Sequence, residues 1–130
     1  MEEQTFAGYS VLIVDDEDPL RSILAQKFQD EGITAYTAED GKEGLALALE
    51  KKPDIILLDV MMPEMDGFDV LDALRKDPWG KDAAVILLTN SSSIDTVAKA
   101  VATGMSEFLV KNEMKLEDVV EHVKERLATS

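Results

Sequence analysis

The sequence contains no cysteine and one histidine in 130 residues. The first absence excludes disulfides and thiolate metal sites, and the second excludes a histidine-rich metal centre. Positive charge is scarce: 13 lysines and arginines stand against 27 aspartates and glutamates, for a formal net charge of -14. So acidic a surface repels polyanions, which argues against nucleic acid and against anionic membranes as partners. Most of that charge is expected to serve solubility. No apolar run approaches the roughly 20 residues needed to span a bilayer. The opening Met1-Glu-Glu-Gln lacks the basic and apolar regions of a signal peptide, so a cytoplasmic location is expected. Repeats, low-complexity stretches and linkers are also missing. A chain of this length suits one domain burying roughly two-thirds of its unfolded surface.

What the sequence has is an alternation of periods. Short apolar runs alternate with stretches of helical spacing, the mark of βαβ units and a parallel sheet. Tyr9-Ser-Val-Leu-Ile-Val14 reads as a strand buried on both faces. Asp18 as N-cap and Pro19 at the first helical position open a helix with Leu20, Ile23, Leu24 and Phe28 inward, stopped at Gly32. Ile33-Thr-Ala-Tyr-Thr37 is a short strand; Gly41 begins a helix with Leu45, Ala48 and Leu49 inward. Ile55-Ile-Leu-Leu58 is the third strand, and Phe68, Leu71 and Leu74 mark the next helix. Ala83-Ala-Val-Ile-Leu-Leu88 is the fourth strand; Ile94, Val97, Ala98 and Val101 mark a helix capped near Ser92 and ending at Gly104. Glu107-Phe-Leu-Val110 is the fifth strand, and Leu116, Val119, Val120, Val123 and Leu127 stripe the last helix. Five strands and five helices in strict alternation predict a doubly wound α/β sandwich, whose ligand site lies outside the carboxyl ends of the strands.

The residues at those ends carry the chemistry. Asp15 and Asp16 follow the first strand, Asp59 the third, Thr89 the fourth and Lys111 the fifth. Three carboxylates in one small site repel: two unit charges about 4 Å apart cost on the order of 4 kcal/mol at an effective dielectric of ~20. They hold protons or demand a cation, and hard oxygen donors without histidine or cysteine select Mg²⁺ over Zn²⁺. Asp59 has the chemistry of a nucleophile toward phosphorus. Lys111 offers a compact charge for a phosphate, and Thr89 a hydroxyl donor. Each has a plainer reading beside this one. Asp15 and Asp16 suit helix caps, Lys111 a solvated lysine, and Thr89 an ordinary strand residue. His122, in the last helix among Lys115, Glu117, Asp118, Glu121, Lys124, Glu125 and Arg126, is expected on a solvated face.

Val11-Leu-Ile-Val-Asp-Asp-Glu, Leu57-Leu-Asp-Val-Met-Met-Pro-Glu-Met-Asp-Gly67, Leu87-Leu-Thr89 and Phe108-Leu-Val-Lys111 resemble the receiver domain of two-component response regulators. The resemblance runs from about Tyr9 to Leu127 and is most specific from Asp59 to Gly67. It implies a flavodoxin-like sheet in the order 2-1-3-4-5, a receiver over residues 9-128 and a short extension over residues 1-8. It also implies that Asp59 is the phospho-acceptor and that Mg²⁺ is held by Asp15, Asp16, Asp59 and the backbone carbonyl of Met61, with Asp16 the more direct of the acidic pair. Thr89 and Lys111 would contact the phosphoryl group, and Thr89 and Phe108 would form the switch, although Phe108 also suits plain core packing. The implied donor is a sensor histidine kinase or phosphotransfer protein. Output is expected through the surface of the fourth helix, fifth strand and fifth helix toward an unknown target protein. The chain is expected to act as a single-domain switch, monomeric or weakly dimeric, and not as an enzyme. Two positions depart from the family pattern. Asn112 follows Lys111 where proline is usual, which predicts a trans bond and a shifted loop, since a cis bond without proline costs roughly 2.5–4 kcal/mol. Asn90 follows Thr89 where a small residue is usual, which predicts slower gain or loss of the phosphoryl group.

Three rivals have specific weaknesses. An aspartyl-chemistry phosphatase would carry a second acid two residues past its nucleophile, where this chain has Met61. A flavin carrier needs a phosphate loop after the first strand, and Asp15-Asp-Glu-Asp18 would repel phosphate. A receiver-like module that is never phosphorylated has no need of Asp16, Asp59, Thr89 and Lys111 together.

Overall fold

The computed structural model describes residues 6–90, 98 and 107–129. Five parallel strands form one sheet: β1 (Ser10–Val14), β2 (Thr34–Ala38), β3 (Ile55–Asp59), β4 (Val85–Thr89) and β5 (Glu107–Val110). They lie in the order β2-β1-β3-β4-β5, as expected. Helices α1 (Asp18–Asp30), α2 (Gly41–Lys51), α3 (Gly67–Arg75) and a C-terminal helix (Leu116–Thr129) are the four among the described residues. The helix expected from Ile94, Val97 and Val101 lies outside those residues, with only Ala98 described, as helical.

The central strands are apolar along their whole length because helices cover both faces of the sheet. Every residue of β3 and β4 is buried. Alternation along the strands then sorts the core into two layers. Val11, Ile13, Ile55, Leu57, Ile86 and Leu88 pack with Leu24 and Phe28 of α1 and Val119, Val120, Val123 and Leu127 of the C-terminal helix. Leu12, Val14, Ile56, Leu58, Val85 and Leu87 pack with Ala48 of α2 and Phe68, Leu71 and Leu74 of α3. Phe6 is buried at the edge of the first layer and touches Tyr9.

Helix ends and faces differ from the sequence expectation in three places. The residue preceding α1 is Glu17, with no side-chain cap; Asp18 is already helical, and Pro19 lies in the first turn. Ile23 is 47% exposed, because Ala25 takes the inward position on α1. Leu49 is likewise 37% exposed, while Gly44 and Ala48 bring α2 down onto the sheet. A helical stripe fixes which side is apolar on average, and contact with the sheet decides its margins.

Candidate phosphoryl-acceptor site

The rows of alternating side chains that build the first core layer continue upward into charge. Val11 and Ile13 lead to Asp15, Ile55 and Leu57 lead to Asp59, and Leu109 leads to Lys111. Adjacent parallel strands keep these rows level, so the three end groups meet above the apolar layer. Lys111 Nζ lies 2.8 Å from Asp15 Oδ2 and 3.4 Å from Asp59 Oδ1. Asp15 is fully buried and Asp59 is 2% exposed. One oxygen from each of Asp15, Asp16 and Asp59 lies within 4.8 Å of the others, with Asp16 on the solvent side. The structure thus brings together all three predicted acids and the predicted lysine.

The electrostatics are unbalanced. Burial, and then the charge of Asp15, push the Asp59 carboxyl up from an ordinary 3.8 to about 7, against the opposing pull of Lys111 and the Met61 amide. Burial alone would lower Lys111, but contact with Asp15 and the charges of Asp59, Asp15 and Glu17 outweigh it and raise the ammonium above its usual value. Asp15 Oδ2 meets Lys111 as an ion pair rather than an aligned hydrogen bond, and Asp59 Oδ2 has no hydrogen-bond partner. A buried acceptor left without a partner costs on the order of 1–3 kcal/mol. The two buried carboxyls beside an exposed third form an all-oxygen, negative set. That set fits a hard divalent cation, and Mg²⁺ in particular, which needs only one or two carboxylates and otherwise keeps waters or phosphate oxygens.

The loop from Asp59 to α3 is held closely. The Met61 amide donates to Asp59 Oδ1 at 3.3 Å, while the Met61 side chain is 68% exposed. Gly67 N donates back to Val60 O at 3.1 Å. Asp66 caps α3 reciprocally: Asp69 N donates to Asp66 Oδ1 at 2.9 Å, and Asp66 N donates to Asp69 Oδ2 at 3.0 Å. Asp66→Ala is expected to cost about 1 kcal/mol, the usual worth of such a cap, with its urea midpoint lowered at an unchanged slope.

Thr89 is buried at the end of β4, on the opposite face of the sheet from the acids, since it continues the row of Val85 and Leu87. Phe108 pairs with Leu87, is half-buried, and packs against that same second layer. Thr89 and Phe108 therefore share a face, two residues apart in register. Asn90 is exposed. No cis peptide occurs among the described residues, and Lys111–Glu113 form a 3₁₀ turn, so the bond before Asn112 is trans as expected. His122 is only partly exposed and pairs with Glu107 of β5, which also meets Arg126 at 3.3 Å.

Two groups at the site were not anticipated. Glu17 Oε1 lies 3.4 Å from Lys111 Nζ, and its amide donates to Asp15 Oδ1 at 2.9 Å. Arg21 reaches back from α1 to donate to the Asp15 carbonyl at 2.6 Å. Glu17 had a signal, as the third acid of a continuous run after β1. Arg21 had none, because a long side chain's reach is set by the fold.

The response regulator receiver domain model matches residues 11–124, and this chain belongs to that family. It is 38% identical over 101 residues to a probable transcriptional regulator, ycf27, of Guillardia theta, covering 78% of this chain and 39% of that protein. It is 41% identical over 101 residues to the response regulator PleD of Caulobacter vibrioides, covering 78% of this chain and 22% of that protein. The chain thus spans well under half the length of these two relatives. The chemotaxis protein CheY4 of Vibrio cholerae has the same fold, with a TM-score of 0.84 at 33% identity over 92% of this chain and 98% of that one. Receiver domains of this family serve phosphorylation-dependent two-component signalling.

Proposed function

We propose that Asp59 accepts a phosphoryl group from a sensor histidine kinase or phosphotransfer protein, with Mg²⁺ held by Asp15, Asp16, Asp59 and the backbone carbonyl of Met61. The observation that carries this reading is the meeting of three carboxylates within 4.8 Å, one of them 3.4 Å from the only ammonium described at the site. In the transfer, a carboxylate oxygen of Asp59 forms the new O–P bond as the P–N bond of a phosphohistidine breaks. The electron pair of that bond returns to the imidazole nitrogen, which takes a proton. The bound cation supplies charge neutralisation on the transferring group. This chain's own groups do the rest. Burial strips water from Asp59, Lys111 offsets negative charge at the attacking oxygen, and Thr89 donates to a phosphoryl oxygen.

The acyl phosphate adds up to about two negative charges and three acceptor oxygens. Lys111 turns to them from Asp15, and Thr89 moves inward from β4. Phe108, on the face Thr89 vacates, follows it and alters the surface of β5, the C-terminal helix and the helix expected from the sequence between β4 and β5. A target protein reads that surface, with the domain monomeric or weakly dimeric. It works in the cytoplasm, and none of the helices described is long and apolar enough to cross a membrane.

The test is the intact mass after incubation with Mg²⁺ and a small-molecule phosphodonor. A single phosphoryl adduct that requires Mg²⁺ is expected. No adduct from the small donor or from a cognate kinase would overturn the reading in favour of a phosphate-independent binding module.

A further inference from the structure

Arg21 occupies a place that simple electrostatics disfavours. It lies in the first turns of α1, where the helix dipole presents positive charge and a cation is unfavourable. Its side chain is only 13% exposed, so the guanidinium has lost much of its hydration. What it gains is local. Nη1 donates to the Asp15 carbonyl at 2.6 Å, and Nη2 pairs with Asp18.

These contacts stand in for a missing cap. The residue before α1, Glu17, makes no side-chain cap, so no capping bond ties the loop to the helix start. Besides its ion pair with Lys111, Asp15 is fixed at three points: its amide donates to Ala38 O at 3.1 Å, Oδ1 accepts from Glu17 N at 2.9 Å, and its carbonyl accepts from Arg21. The first two set where Asp15 sits. The third, from a residue of the rigid helix three positions beyond the acidic run's end at Asp18, sets how the peptide between Asp15 and Asp16 is turned. That peptide orients Asp16, the exposed member of the cluster.

We propose that Arg21 is a positioning residue for the cation site. It holds the Asp15–Asp16 peptide so that both carboxylates converge on Asp59. The proposal rests on the reading of Asp15, Asp16 and Asp59 as cation-holding residues. It has a discriminating sign. A bare positive charge beside the site repels a divalent cation, so deleting it should tighten binding. A positioning hydrogen bond acts oppositely, and its loss should weaken binding.

The experiment is calorimetric titration of the whole chain with MgCl₂, for wild type, Arg21→Lys, Arg21→Gln and Arg21→Ala, alongside thermal melts without metal. Supporting residues of this kind are worth 10- to 100-fold in metal affinity, so Arg21→Ala should bind Mg²⁺ about 10-fold more weakly or worse. Arg21→Lys keeps the charge but loses the planar fork that serves Asp15 and Asp18 together, and it should also bind more weakly than wild type. It decides the matter if the alanine variant does not fold. Arg21→Gln keeps one donor without charge and should bind better than Arg21→Ala. Unchanged or tighter binding in Arg21→Lys and Arg21→Gln, with only the melting temperature lowered, would overturn the proposal and leave Arg21 a structural residue. Wild type that fails to bind Mg²⁺ would remove the cation reading beneath it as well.

Discussion

Asp59→Asn is expected to abolish the phosphoryl adduct and, in the metal-free protein at pH 8, to raise stability by on the order of 4 kcal/mol. The first effect follows from chemistry, since an amide offers no carboxylate nucleophile. The second follows from the raised pKa of Asp59. Burial and then the neighbouring Asp15 hold the folded-state carboxyl near 7, against about 3.8 for an unstrained one. Between those values the folded protein binds a proton that the unfolded chain does not. The contribution of Asp59 is therefore fully present below about pH 4 and is lost as pH rises through about 7. Above that, the fold carries a buried charge opposed by Lys111 and the Met61 amide. Asparagine keeps the shape and removes the charge, so the advantage of the variant should be near zero at pH 4 and full at pH 8. Urea unfolding in EDTA at pH 4, 6 and 8 measures it, and the other carboxylates cancel because both proteins carry them. Added Mg²⁺ should narrow the gap at pH 8, since a ligand of the native state stabilises wild type more. Equal stabilities at pH 8 would mean that Lys111 already balances Asp59, and the argument for a resident cation would lose its energetic ground.

The same strand-end logic explains why so much of the site was legible in the sequence. A parallel strand covered on both faces must be apolar until it emerges, so the first charged residue after each run marks the sheet's edge. That alone located Asp15, Asp59 and Lys111. The resemblance to receivers then gave each a role. The observed β3 and β4 run one residue further than their apolar stretches and take in Asp59 and Thr89 themselves. The ladder continues because Asp59 pairs with Leu88, and Thr89 with Val110. Composition marks where a side chain ceases to be apolar, and backbone pairing is indifferent to that. Ile23 and Leu49 were misplaced for a related reason. Their spacing suits an inward face, yet Ala25 and Gly44 allow closer approach and win the contact. Glu17 and Arg21 depend on reach across a turn, which no periodicity encodes.

Gly67→Ala should damage the site more than any other single methyl group added to the loop beyond β3. A Cβ at position 67 would fall 2.5 Å from Asp59 O, 2.9 Å from Val60 Cα and 3.1 Å from Asp59 C. All three are backbone atoms of the acceptor and its neighbour, so no flexible side chain is there to yield. Gly67 begins α3 and donates to Val60 O, which ties the helix to the strand end at the point of collision. Either α3 retreats or the peptide after Asp59 turns, and the Met61 amide that meets Asp59 Oδ1 moves with it. Overpacking of this kind costs typically 1–3 kcal/mol, and a displacement of about 1 Å at a reacting group costs on the order of 100-fold in rate. Gly80→Ala is the control. Its Cβ would meet Leu74 O at 2.3 Å, an equally unyielding backbone contact, but at the far end of α3. Both variants should unfold at lower urea concentration. Only Gly67→Ala should take up the phosphoryl group on the order of 100-fold more slowly, because a shift of about 1 Å there moves the acceptor itself. If the two variants lose stability equally and keep the same phosphorylation rate, the α3 junction serves the fold alone. If they part as expected, the glycine that ends the loop is what lets α3 pack directly on the backbone of the acceptor, and the rigidity of that contact fixes where Asp59 points.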